Sequence, residues 1–199
     1  MRVCPMMLSL AFLAFPGSAA AQHGGGAAAR QPATTPPREA TQFDFLVGQW
    51  EVEIRVPAQG LAQRIHGAPR LSGTWKAWRA LDGWGIEDEL RIVDGSGNPM
   101  SLSHAVRAFD ATARRWTVSA LDVYRARWTS ATAEWRDGEM HLSGSGTSPE
   151  GQAYTTRTRF HGITAQAFEM RQERSTDGGR TWEETLRIEA KRVAAAAPR

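Results

Sequence analysis

From residue 46 to 56 every second position is apolar or small (Leu46, Gly48, Trp50, Val52, Ile54, Val56), and Gln49, Glu51, Glu53 and Arg55 lie between them. Side chains two apart share one face of an extended chain, so this spacing describes a half-buried β-strand. Comparable runs follow near 70–80, 84–93, 101–109, 115–123, 127–135, 139–145, 153–161, 165–175 and 182–192. That makes about ten strands in series, with little helical periodicity anywhere. Asp82-Gly83, Asp94-Gly95, Asp137-Gly138 and His161-Gly162 supply turn chemistry between runs, and Asp110 to Arg114 makes a slightly longer connection. Short connections force antiparallel neighbours and an up-and-down order. An open sheet of this width would leave two long unpaired edges, which closure removes. The predicted fold is all-β: an antiparallel up-and-down β-barrel of about ten strands, with a two-sheet sandwich as the alternative.

The flanks carry other signals. Met1 to Ala21 reads as a signal peptide, with Arg2 at its start, an apolar run from Met6 to Phe15 and Ala19-Ala20-Ala21 before Gln22. Cys4 precedes the apolar run instead of following it, which argues against a lipoprotein. Cleavage between Ala21 and Gln22 would deliver a periplasmic or secreted chain without cysteine, held together by packing alone. Residues 22–42, rich in Ala, Gly, Pro and Thr, read as a disordered spacer; 43–193 form the barrel domain, and 194–199 a disordered tail. No segment approaches the roughly 20 apolar residues of a membrane-spanning helix. The formal charge is +3 with acidic and basic residues interleaved, and no basic stripe suggests nucleic acid.

Phasing each run by its apolar face turns a few polar residues inward. Asp88 lies between Ile86 and Leu90, and His104 between Leu102 and Val106. Asp122 follows Trp116, Val118 and Ala120, while Gln172 follows Phe168 and Met170. A histidine beside a carboxylate can move protons where a cavity brings them together, so Asp88, His104 and Asp122 are the catalytic candidates. A one-residue bulge would turn any of them outward. Eight tryptophans are many for such a domain. Most should serve core or rim packing, and Trp75 and Trp116, with His104 and Gln172, are the candidates for lining a ligand cavity. The five histidines include no close pair at metal-ligand spacing, so no metal site is expected; haem would require a single axial ligand, for which His104 is the best placed.

Phe43-Asp44-Phe45-Leu46-Val47-Gly48-Gln49-Trp50 resembles the opening of a bacterial secreted family of unknown function with Phe-Asp-Phe-x-x-Gly-x-Trp and Ser-x-Asp-Gly-Gly-x-Thr-Trp signatures. It is also similar to the Gly-x-Trp opening of calycins, the superfamily that includes lipocalins. The resemblance implies a calycin-like barrel in which Gly48 and Trp50 close one end and a basic residue of the last strand, Arg187 or Lys191, packs on the tryptophan ring. It carries no catalytic residues with it.

Ser175 to Trp182, "STDGGRTW", has the spacing of the Asp-box found in sialidase propellers. A propeller needs several blades of about 40–50 residues, and only three or four would fit here. The stretch therefore reads as a hairpin staple: Asp177 accepts hydrogen bonds from loop amides, Gly178 and Gly179 allow unusual dihedrals, and Trp182 anchors the returning strand. The function expected is that of an exported carrier or sensor holding a small, largely apolar molecule in the barrel. The alternatives are an enzyme working through its inward Asp and His residues, or an envelope protein-interaction module. Oligomeric state has no signature in the sequence.

Overall fold

The computed structural model describes residues 34–58, 70–148 and 150–193. The expected signal segment at 1–21, the spacer up to residue 33 and the tail at 194–199 lie outside the described residues. Ten strands follow one another: β1 (Gly48–Arg55), β2 (Leu71–Ala80), β3 (Gly85–Asp94), β4 (Pro99–Asp110), β5 (Arg115–Asp122), β6 (Arg127–Arg136), β7 (Glu139–Thr147), β8 (Ala153–His161), β9 (Ala167–Ser175) and β10 (Glu183–Arg192). Each pairs antiparallel with its neighbours in sequence, and β1 pairs with β10, so the sheet closes on itself and the sandwich alternative falls away. The closing seam runs from Trp50 opposite Arg192 to Arg55 opposite Arg187.

The ordered body begins before the first alternating strand. Two short 3-10 turns, Arg38–Thr41 and Asp44–Leu46, precede β1 and bury Ala40, Phe43 and Leu46. Residues 38–42, assigned by composition to the spacer, thus belong to the barrel and plug one end of it. Phe43 meets Trp116 edge-on at 4.8 Å, and Phe45 meets Phe160 and Phe168, each at 5.7 Å. Arg79 pairs with Asp44, and Trp116 Nε1 donates to Gln42 Oε1 at 3.1 Å.

Arg192 locks this plug to the seam. Its guanidinium carbon stands 4.0 Å from the Trp50 ring centroid. Its nitrogens donate to the carbonyls of Val47 (2.9 Å), Phe45 (3.4 Å) and Ala165 (2.6 Å). Trp50 is fully buried and gives its own Nε1–H to Leu46 O at 2.7 Å. The basic residue on the tryptophan is therefore Arg192, not Arg187 or Lys191. The seam places Arg192 directly across from Trp50 on the inner face, whereas Lys191 and Arg187 alternate outward and Arg187 pairs with Glu184. Gly48 makes room for the clasp: its φ is +131°, and a Cβ there would collide with Arg192 Nη1. Both strain and collision oppose any side chain at this position. Gly48→Ala should lower the unfolding free energy by about 2–3 kcal/mol, measured by urea denaturation, and a change below the error of the fit would remove the clasp from this account.

Candidate functional site

Inward side chains divide each strand into two halves. Toward the plug they are large, with Trp50, Trp75, Phe109, Trp116, Phe160 and Phe168 packed together. Toward the opposite end, β4 to β7 present Ser103, Ala105, Ala120, Ala131 and Gly144 instead. Bulky residues fill one half, small ones leave the other hollow, and a cavity of about 390 Å³ results.

The floor of the cavity is a buried ion pair. Asp88 and Arg107, 3% and 5% exposed, meet through Nε to Oδ2 at 2.6 Å and Nη2 to Oδ1 at 3.2 Å. Trp75 Nε1 donates to the same carboxylate at 2.8 Å, and the guanidinium carbon lies 5.0 Å from the Phe43 ring centroid. Both oxygens of Asp88 are thus held by donors, as a buried carboxylate requires. Above this floor the wall is apolar through Leu90, Val118, Leu142, Phe160 and Met170, and it becomes polar toward the mouth. There Gln172 reaches Thr158 Oγ1 and Thr185 Oγ1, each at 3.3 Å, and Tyr154 and Arg174 complete the rim.

The sequence candidates separate accordingly. Asp88, Trp75 and Gln172 line the cavity. His104 does not: β4 turns Ser103, Ala105, Arg107 and Phe109 inward, and His104 lies on the outer surface 3.4 Å from Glu87 and 5.9 Å from the Trp78 ring. That orientation takes it away from anything held inside, haem included. The phase inverts because the hollow half wants small residues inside, which leaves Leu102 and Val106 on the outer face. Asp122 sits at the end of β5 and caps the following turn, accepting from the Arg125 amide at 3.2 Å and its guanidinium at 2.9 Å. Trp116 is sealed beneath the plug, away from the cavity. No two of the three catalytic candidates come together in the cavity. Sequence reasoning missed Arg107, Tyr154 and Arg174, although each alternates in step with inward neighbours (Ala105 and Phe109; Thr156 and Thr158; Met170 and Gln172). Among the described residues no group of three or more His, Cys, Asp or Glu is disposed to hold a metal ion.

A second groove, of about 510 Å³, lies on the outer face beside the terminal hairpin. Three of its four arginines are engaged: Arg157 and Arg171 with Glu173, Arg159 with Glu139. Arg157 also covers the Trp182 ring at 4.4 Å. The hairpin itself is built around Asp177, which accepts from the Thr181 amide (3.0 Å), the Thr181 hydroxyl (2.7 Å), the Ser175 hydroxyl (2.7 Å) and the Arg180 amide (3.0 Å). Trp182 Nε1 closes it onto Gly179 O at 3.1 Å. These donors, the Thr181 amide first, hold the Asp177 carboxyl well below the usual carboxylate range.

Two outcomes follow from this geometry. Asp88→Asn should destabilise the protein by about 3 kcal/mol by stranding Arg107, and Asp88→Leu with Arg107→Met should recover most of that loss; an Asp88→Asn protein as stable as wild type in urea would contradict the pairing. For Asp177 the lowered folded pKa means that its stabilisation is complete above the unfolded carboxylate value of about 3.9 and is lost as pH falls toward the folded value. The gap in melting temperature between wild type and Asp177→Ala should be level from pH 7 to about 4 and narrow by pH 2.5. A gap of constant width would count against the staple.

No family model matches this chain, and no curated protein does. Among solved structures it is similar to an S-type phycobiliprotein lyase from Guillardia theta, with a TM-score of 0.51 at 10% identity over 80% of this chain and 99% of that one. At that identity the likeness concerns the fold, and with ten antiparallel strands closed in sequence order the architecture is a calycin-like, lipocalin-like β-barrel.

Proposed function

We propose that the chain is an exported binding protein that holds one small molecule, apolar along most of its length, inside the barrel. The observation that carries this reading is the cavity: about 390 Å³, apolar in its lower wall and polar toward the mouth, plugged at one end and lined by small residues on four successive strands. Ligand pockets commonly measure about 300–1,000 Å³ and combine apolar walls with a few placed polar groups, as this one does. Export rests on the Met1–Ala21 segment, and kinship with the Phe-Asp-Phe-x-x-Gly-x-Trp family on the residues around Trp50. The resemblance to a phycobiliprotein lyase supports a barrel suited to holding a molecule. An enzymatic reading is less favoured, because the carboxylate in the cavity floor already has both oxygens occupied by Arg107 and Trp75.

The full chain should take up N-phenyl-1-naphthylamine, a neutral fluorophore that brightens in apolar surroundings. Ala120→Phe, which pushes a ring into the hollow half, should weaken uptake at least tenfold (about 1.4 kcal/mol) while leaving the melting temperature within a few degrees. No fluorophore uptake by wild type, together with native mass spectra showing no bound molecule, would overturn the proposal. Equal uptake by the folded variant would do so too.

A further inference from the structure

We infer that the ligand carries a single carboxylate, and that this group sits at the mouth on Arg174 and Tyr154, with the apolar part pointing down toward Trp75. The inference rests on the cavity being a ligand site, and it concerns which end of the molecule goes where.

Two guanidinium groups line the cavity, and they are not equivalent. Arg107 at the floor is neutralised by Asp88 in a two-pronged pair, so an anion there would have to displace a buried carboxylate. Arg174 lies on the inward face of β9 at the mouth, across from Thr156 of β8. Among the described residues no carboxylate comes within 4.0 Å of its guanidinium. Glu150, on the turn after β7, feels its charge, but that carboxylate is exposed and hydrogen-bonded to Ser148 and its own amide. Glu183 of β10 stands across from Arg174 in the strand register, but neither it nor Glu150 closes an ion pair within 4.0 Å, so the guanidinium at the mouth is left without a close salt-bridge partner.

Tyr154 gives this cation a shaped setting. Arg174 stacks on the Tyr154 ring with its guanidinium carbon 5.6 Å from the centroid. The ring in turn lies against Gly146 of β7: a Cβ at Gly146 would stand 2.5 Å from the tyrosine oxygen and 2.6 Å from the carbon bearing it. A Cβ there would force the phenol aside, and among the described residues its hydroxyl makes no hydrogen bond within 3.5 Å. A planar guanidinium fork and a phenolic O–H side by side match the two oxygens of a carboxylate. Below them come Thr156, Thr158 and Gln172, and then the wall changes to Leu142, Met170 and Phe160 and ends at the closed floor. One charged end and one apolar body are what this gradient accommodates, whereas a molecule charged at both ends would bring its second charge to the Asp88–Arg107 pair, whose members already neutralise each other.

The test is displacement of N-phenyl-1-naphthylamine from the full chain at pH 7.5 by decanoate and by 1-decanol, which share a chain length and differ in charge. Decanoate should compete about tenfold better than decanol. Arg174→Gln should remove that preference, read as the ratio of decanoate to decanol competition within the variant itself, and Tyr154→Phe should remove part of it. Equal competition by acid and alcohol in wild type overturns the inference, as does a preference that survives Arg174→Gln or a bound fluorophore that neither compound displaces. In each of these cases the fluorophore still occupies the barrel, and the binding function stands; failure of the fluorophore itself to bind would strike that function first.

Discussion

One guanidinium holds the closed end of this barrel together. Arg192 ends the last strand, stacks on the buried ring of Trp50 in the first, and donates to carbonyls of the plug and of the connection before β9. A lysine could not do the same, since an ammonium lacks both the flat face and the fixed fork of donors. The contact also gives a physical reason for the Gly-x-Trp pair: tryptophan provides the surface for the stack, and glycine two residues earlier leaves the space through which the guanidinium passes. Without that passage the plug would lose its tie to the seam, and the aromatic cluster of Phe43, Phe45 and Phe168 would lose its lid.

The Asp88–Arg107 pair marks the boundary between the solid and hollow halves. It stands over Phe43 and beside Trp75, where aromatic packing stops and the cavity begins. An unpaired charge at that depth would be strongly unfavourable, and an apolar pair would fill the same space at little cost to stability. The pair does offer a polar floor that rejects charge of either sign, because each member is already satisfied. On the proposed reading, selectivity for an anion is left to the rim, where Arg174 has no ion-pair partner within 4.0 Å.

Much of the fold was legible because it is written in local terms. The strand around Trp50 alternates without interruption, Asp137-Gly138 marks its own turn, and the Ser175–Trp182 hairpin closes with bonds spanning a few residues. What escaped depends on partners distant in sequence. Arg192 and Lys191 look alike in a list of basic residues, and only the β1–β10 register distinguishes them. His104 lies on the outer face although Leu102 and Val106 flank it, because beside a cavity small residues, not large apolar ones, mark the interior. The plug was hidden for a third reason, since Arg38 to Gln42 has the composition of a linker and is held by Trp116, which donates to Gln42, and by Arg114, which pairs with Glu39.

The two halves of each strand therefore answer to different demands. Toward the plug, side chains are interlocked, and a change in one disturbs several others. Toward the mouth, Ala105, Ala120 and Ala131 line the hollow, so their replacement alters the shape of the hollow more than the integrity of the wall. A barrel organised in this way can exchange one guest for another through substitutions at its open end while the closure at Trp50 and Arg192 stays as it is. Stability and specificity are carried by the same ten strands, in separate stretches of them.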